Sequence, residues 1–160
     1  MTVRSALVLG LGNSLMTDDA AGPLVIEFLQ SAGLENVRLC DGGTAGLNLL
    51  PEIEACDAII AVDAARFGAS PGTVRTFEGA EMDHQLRGRK STAHEVALAD
   101  LMAAAALIDA CPEKRALVAV EPAVVRLGLE PTPEVAIGIP RMAEAVVSLL
   151  DKWNAEVAAL

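Results

Sequence analysis

The stretch from Leu7 to Gly22, LVLGLGNSLMTDDAAG, constrains the fold of this chain more than any other segment. Gly10 and Gly12 break an apolar run, and two adjacent acids, Asp18 and Asp19, precede a segment with helical apolar spacing. This pattern predicts a buried strand, a tight glycine turn and a helix whose first turn carries both acids. In such a unit the turn lies at the carboxyl edge of the sheet, where open α/β proteins bind their ligands.

The rest of the chain alternates between apolar strands and helices. Apolar runs predict strands over 5–11, 37–40, 58–62 and 116–120. Helical spacing predicts four helices, the second capped by Thr44 and the last interrupted by Gly138 and Pro140, over 24–33, 44–53, 92–108 and 133–155.

Two segments depart from this alternation. Residues 73–77 form a predicted strand, but the connection RFGASPG before them is too short for a crossover helix, so we expect antiparallel pairing at a sheet edge. Residues 79–90 are polar without a clear period, and we expect a mobile surface segment there. The elements predict one α/β domain over 1–160. It is a three-layer α/β/α sandwich of the phosphorylase/hydrolase-like type, with a mostly parallel twisted sheet of about five strands and one antiparallel edge strand.

Composition limits the partners. The formal net charge of −10 argues against nucleic acid and against an anionic membrane surface, because both require a basic footprint. The most apolar helical stretch, 101–108, is too short to span a bilayer, and the N-terminal apolar run shows no signal-peptide cleavage site. Cys40, Cys56 and Cys111 lack C-x-x-C spacing, which favours small buried side chains in a reducing compartment. We therefore expect a cytoplasmic protein, and we expect a monomer.

Three polar residues follow predicted strands or begin a predicted helix at the carboxyl edge of the sheet. Asp19 follows the first strand, Asp63 ends the third, and His94 lies in the first turn of a helix whose Thr92 and Glu95 have capping-box spacing. A helix N-terminus disfavours a cationic imidazole, so we expect His94 to stay neutral, as a metal ligand must. Two carboxylates and one neutral imidazole suit a divalent transition metal.

Simpler explanations exist for each polar residue taken alone. Asp18 is best explained as a helix N-cap, Asp63 alone could form a turn, and His94 alone could be a surface residue. We expect His84 to be solvated and Glu121, at the end of the last strand, to be a turn or groove residue. Only convergence of the three candidates in space would favour a site.

Five segments resemble one known family in order and in spacing. They are GLGNSLMTDDAAG at 10–22, DGGTAG at 41–46, IIAVDA at 59–64, STAH with LADLM within 91–102, and AVEP at 119–122. In this respect the chain resembles the hydrogenase maturation endopeptidases. The resemblance implies a cytoplasmic protease that removes a short C-terminal extension from the large-subunit precursor of a nickel–iron hydrogenase after nickel insertion.

The resemblance also assigns residues. It places the family's metal-contacting, catalytic positions on Asp19, Asp63 and His94, with Asp19 one methylene shorter than the glutamate of many relatives. It matches a glycine loop with a role in substrate positioning to Asp41, Gly42, Gly43 and Thr44. Two carboxylates and one imidazole fall short of a resident catalytic zinc site. The nickel is therefore expected to be supplied by the precursor rather than permanently bound.

The sequence leaves more than one possibility open for the catalytic chemistry and for the function. Water would attack a peptide carbonyl with help either from metal polarisation or from one carboxylate as general base. The rival functions are a non-catalytic nickel-sensing chaperone, a Cys40–His94 dyad and a dinucleotide-binding module. The last uses Gly10, Gly12 and Asp41, but Leu15 stands where its third glycine belongs.

Overall fold

The computed structural model describes residues 5–43, 46–88 and 93–160, and at positions 93 and 94 it describes the backbone only. The strands within these ranges are β1 (Ala6–Leu11), β2 (Val37–Gly43), β3 (Ala58–Ala64), β4 (Val74–Glu78) and β5 (Lys114–Val120). The helices are α1 (Ala21–Leu29), α2 (Leu50–Glu54), α3 (Ala80–Arg87), α4 (Ala93–Leu107) and α5 (Pro133–Ala158). Short 3-10 turns at Thr17–Ala20 and Gly46–Leu49 precede α1 and α2.

The five described strands form one sheet in the order β2-β1-β3-β5-β4. Strands β2, β1, β3 and β5 are parallel, whereas β4 pairs antiparallel with β5 at the edge of the sheet. Both the predicted α/β fold and the predicted antiparallel edge strand are confirmed. From β1 the chain moves to one side to form β2 and then returns to the other side to form β3. This reversal creates a topological switch point between the carboxyl ends of β1 and β3, where open α/β sheets bind ligands.

Helices cover both faces of the sheet because the central strands are apolar on both sides. Alternate strand residues, such as Val8 and Ile60, pack with α1 and α5, including the buried Trp153. The residues between them, such as Leu7 and Ile59, pack against the face formed by α2, α3 and α4. Two layers of helices therefore enclose the sheet, as the three-layer prediction requires.

Glycines let the start of α1 touch the sheet directly. A Cβ atom built on Gly22 would overlap the backbone carbonyl oxygens of Leu11 and Val62, at the ends of β1 and β3. A Cβ on Gly12, whose φ is +127°, would overlap the carbonyl oxygen of Asp19. Gly22 and Gly12, the latter one of the two glycines that resemble a dinucleotide fingerprint, thus allow close packing between helix and sheet, and they bring Asp19 to the switch point.

The structure corrects two predictions about helices. Residues 80–87, expected in a mobile surface segment, form α3, in which Met82 and Leu86 lie one turn apart and pack into the core. Two apolar residues in eight give too weak a period to recognise in the sequence. Helix α5 runs without interruption through Gly138 and Pro140. The missing N–H of Pro140 costs one helical hydrogen bond, and Gly138 lets the helix pack against Gly72 and Val120.

The buried side chain of Met82 provides a test of α3. Met82→Ala should lower the free energy of unfolding by about 2 kcal/mol or more, because it removes a fully buried side chain and leaves a cavity. Glu81→Ala, an exposed neighbour on the same helix, should change it by less than about 0.5 kcal/mol. Urea unfolding of both variants measures the difference. Equal stability of the two variants would show that α3 does not pack as described.

Candidate active site

Asp19 and Asp63 meet at the switch point between β1 and β3. Asp19 lies in the 3-10 turn that follows β1, and Asp63 is the second-to-last residue of β3. Both residues are buried, with exposed fractions of 2% and 1%. Burial raises the pKa of Asp63 well above its ordinary value, and the negative charges of Asp19 and Glu95 raise it further. A backbone N–H from Ala64 acts in the opposite direction and is the weakest of these influences.

The turn that carries Asp19 holds its carboxylate in a defined place. Asn13 donates its backbone N–H to Asp19 Oδ2 at 2.9 Å, and Asp19 donates its own backbone N–H to Met16 at 3.0 Å. The carbonyl oxygen of Asp19 packs against Gly12, which has no side chain that would prevent this contact. Asp19 is not a helix cap, because it lies within the 3-10 turn, and the N-cap positions of this turn and of α1 are Met16 and Ala20.

One carboxylate oxygen of Asp63 has no hydrogen-bond donor among the described residues. Its Oδ1 atom is buried and accepts no hydrogen bond from the residues that the structure describes. Asp63 and Glu95 also line a small cavity of about 20 Å³, a volume that accommodates one water molecule or a small ion. A water molecule, a proton or a cation in this cavity would supply the missing partner for the buried oxygen.

Glu95 is a third buried acid at this site, and the sequence analysis missed its role. It is 9% exposed, and its charge acts on Asp63. The sequence suggested only a capping box, whose other half, Thr92, lies outside the described residues. A signal was present, because Glu95 precedes the buried Leu98 by three residues and therefore lies on the core-facing stripe of α4.

His94 lies in the first turn of α4, as its backbone shows, but its side chain is outside the described part of the structure. The structure thus brings together Asp19 and Asp63, while the contribution of His94 stays a prediction. Among the described side chains, which exclude that of His94, no three His, Cys, Asp or Glu residues are grouped closely enough to hold a metal ion. The two aspartates alone form an incomplete ligand set.

Asp18, the neighbour of Asp19, is a structural residue with a different role from the predicted N-cap. Its fully buried carboxylate accepts backbone N–H groups from Ala123, Val124 and Thr132 at 2.6–2.9 Å. The hydroxyl of Thr132 donates to it as well. These partners are more than 100 residues away in the sequence, so local capping patterns could not identify them. Asp18 thereby fastens the segment after β5 to the turn after β1.

The other candidate residues also occupy defined positions. Asp41, Gly42 and Gly43 end β2, beside the glycine turn, where Gly43 accepts the backbone N–H of Gly12 at 3.3 Å. Thr44 lies outside the described residues. Glu121 accepts the backbone N–H of Phe67 at 2.7 Å and so anchors the connection after β3, in agreement with the turn role expected for it.

The remaining chemistry-bearing side chains lie elsewhere or are poorly suited to catalysis. His84 is exposed on α3, as expected. Cys40, Cys56 and Cys111 are free thiols, each half-buried. Burial raises the pKa of all three, and that of Cys56 reaches about 11. A raised thiol pKa opposes formation of the nucleophilic thiolate, so the structure gives no support to the Cys40–His94 dyad.

The raised pKa of Asp63 predicts a pH-dependent stability effect. Folding disfavours the ionised form of this residue, so the wild type loses stability as pH rises above 3.8, the ordinary pKa that applies to the unfolded chain. Asp63→Asn removes that cost. Without added metal, we expect the variant to unfold at least about 3 °C higher at pH 7, the shift that about 1 kcal/mol produces in a domain of this size. The advantage should shrink as pH falls from the raised pKa of Asp63 towards 3.8, and it should be absent below 3.8.

Asp83→Asn is the matched control for that experiment. Two hydrogen bonds from Arg115, at 2.6 and 3.0 Å, lower the pKa of Asp83, so its ionised form stabilises the fold above pH 3.8 and that contribution is lost at lower pH. Asp83→Asn should therefore lower the unfolding midpoint at pH 7. Thermal unfolding at pH 3.5 and pH 7 separates the two signs. An Asp63→Asn variant that is no more stable than wild type at pH 7 would contradict the assignment.

Comparison with known proteins identifies the family to which the chain belongs. A family model described as hydrogenase maturation protease matches residues 23–149. The hydrogenase expression/formation protein HupD of Rhodobacter capsulatus is 35% identical over 154 residues, which are 94% of this chain and 73% of HupD. The hydrogenase 2 maturation protease of Escherichia coli K12 is 36% identical over 136 residues, and the match covers 82% of each chain.

Solved structures of similar proteins share the fold. The hydrogenase maturating endopeptidase HybD from E. coli is 32% identical and superposes with a TM-score of 0.86 over 92% of this chain and 93% of its own. The [NiFe] hydrogenase maturation protease HybD from Thermococcus kodakarensis is 26% identical, with a TM-score of 0.79 over 91% and 99% of the two chains. This chain therefore belongs to the hydrogenase maturation protease family and is a hydrolase of the peptidase class.

Proposed function

We propose that this enzyme removes a C-terminal extension from the large-subunit precursor of a nickel–iron hydrogenase after nickel insertion. In this proposal Asp19, Asp63 and His94 recognise the inserted metal. The observation that carries the proposal is the convergence of two buried carboxylates at the switch point of the sheet. Relatives named as [NiFe] hydrogenase maturation proteases make a nickel-containing protein substrate the natural partner.

The chemistry of these residues suits a divalent metal that belongs to the substrate. The negative charges of Asp19 and Glu95 disfavour ionisation of Asp63, and a nearby cation would reverse that effect. Two carboxylates and one imidazole leave positions open on a transition metal, and ligands from the precursor would fill them. Cleavage would then depend on prior nickel insertion, because a precursor without nickel would place no positive charge between the acids.

The residues of this chain have separate tasks in the proposed reaction. Asp19, Asp63 and His94 hold the precursor's metal so that a peptide carbonyl next to it faces the carboxylates. Nickel, when bound, polarises that carbonyl or acidifies a water molecule. One carboxylate of the pair would accept the proton of the attacking water, through an oxygen that the metal does not hold. Asp41, Gly42, Gly43 and Thr44 would position the substrate backbone beside the turn of Gly12.

We also propose that the enzyme acts as a monomer in the cytoplasm. The three free thiols suit a reducing compartment. No helix in the described ranges is long and apolar enough to cross a membrane. The formal charge of −10 disfavours nucleic acid as a further partner.

The two histidines of the chain permit a matched test of metal recognition. His94→Ala should slow cleavage of nickel-loaded precursor at least about 100-fold, a typical loss for a group that acts directly at the reacting centre. His84→Ala, which changes the exposed histidine of α3, should cleave at the wild-type rate. The measurement is the mass of the precursor over time. Wild-type rates for His94→Ala would remove this residue from the mechanism.

The same mass measurement separates the protease from the chaperone alternative. Wild-type protein should shorten nickel-loaded precursor and leave nickel-free precursor intact. Binding of the nickel-loaded precursor without any loss of mass would contradict the proposed cleavage and favour a metal-sensing chaperone. Cleavage of both precursors at equal rates would contradict metal recognition and leave the peptidase activity in place.

A further inference from the structure

Three exposed leucines lie beside the turn that carries Asp19. Leu15 is 55% exposed, and Leu127 and Leu129 are 81% and 80% exposed. They lie on two backbone segments that are hydrogen-bonded to each other. Gly128 donates its backbone N–H to Leu15 at 2.9 Å and accepts the backbone N–H of Thr17 at 3.0 Å. We call Leu15, Leu127 and Leu129 the leucine rim.

Buried polar groups hold the leucine rim in place. The hydroxyl of Thr17 donates to the carbonyl of Val124 at 2.7 Å and accepts the backbone N–H of Arg126 at 3.1 Å. The carboxylate of Asp18 binds the backbone at both ends of the same segment, at residues 123–124 and at Thr132. A loop tied this way, by a fully buried carboxylate, presents its leucines in a fixed position.

The grouping of exposed leucines on one hydrogen-bonded loop favours a contact surface. A single exposed apolar residue is common on protein surfaces, but a group of them on an ordered loop marks a contact surface. The position of the rim identifies the partner. Thr17 and Asp18, which hold the rim, directly precede Asp19 in the same 3-10 turn, so the rim borders the turn that a protein must approach to place its peptide bond at Asp19.

We propose that the leucine rim docks an apolar segment of the hydrogenase precursor beside the bond that is cleaved. This inference rests on the proposed function, because it takes the precursor as the protein that reaches Asp19. Burial of leucine side chains would supply affinity at a site whose own residues are acidic. The rim would therefore set how tightly the precursor binds, and the buried acids would set the chemistry.

The double variant Leu127→Ser with Leu129→Ser tests the rim. Both side chains are about four-fifths exposed, so the unfolding midpoint should stay within about 2 °C of wild type. For nickel-loaded precursor the KM should rise at least about tenfold, since each buried leucine contributes on the order of a tenfold factor in affinity. The kcat should fall by less than about twofold, because the acids at the site are untouched.

Leu107→Ser is the matched control. Leu107 is 87% exposed and ends α4, the helix whose first turn carries His94. Fifteen residues of helix separate the two ends by about 20 Å. This variant should keep the wild-type KM. Equal changes of KM in the control and in the double variant, or no change in either, would overturn the docking role.

Two further measurements distinguish the possible failures. Calorimetric binding of nickel-loaded precursor reports docking without cleavage. If the wild type binds but does not cleave, and the double variant binds at least tenfold more weakly, the rim stands and the proposed function fails. Sedimentation velocity tests a second copy as the occupant. A wild-type dimer that the double variant abolishes would overturn the proposal in favour of self-association.

Discussion

The central physical constraint in this structure is that two buried carboxylates, those of Asp19 and Asp63, lie close together. Asp19 and Asp63 repel each other, and each loses the hydration it would have in water, which raises the pKa of Asp63 well above its ordinary value. A fold selected for stability alone would not place two acids at this point. Their burial is understandable if the resting protein awaits a positive charge. In the function proposed above, the nickel of the precursor supplies that charge.

Close backbone packing enforces this proximity. Gly22 sets the start of α1 directly against the ends of β1 and β3, and Gly12 lets the carbonyl of Asp19 rest on the turn. Asp18 adds a second constraint through its hydrogen bonds to the segment after β5. The unfavourable acid pair is therefore held by contacts on both of its flanks. Those contacts involve backbone atoms, which have few ways to relax, so the two carboxylates cannot easily move apart.

The sequence predicted the parts of this arrangement that follow from strand ends and missed the parts that follow from distant contacts. Asp19 and Asp63 could be placed at one sheet edge because each follows an apolar run that forms a parallel strand. The role of Asp18 could not be predicted, since its partners are more than 100 residues away and local patterns favoured a helix cap. Glu95 was hidden by a capping-box pattern, and α3 by its short apolar stripe. His94, Thr44 and Thr92 remain predictions for their side-chain roles.

The most direct test of the central claim is a crystallographic one. Crystals of the wild-type protein, soaked with Ni²⁺ at a pH above 7 and measured at the nickel absorption edge, report where the metal binds. We predict an anomalous peak between the carboxylates of Asp19 and Asp63, which should be absent in crystals of Asp63→Asn. A peak that persists in the variant, or nickel bound only elsewhere on the molecule, would contradict a cation site at these buried acids.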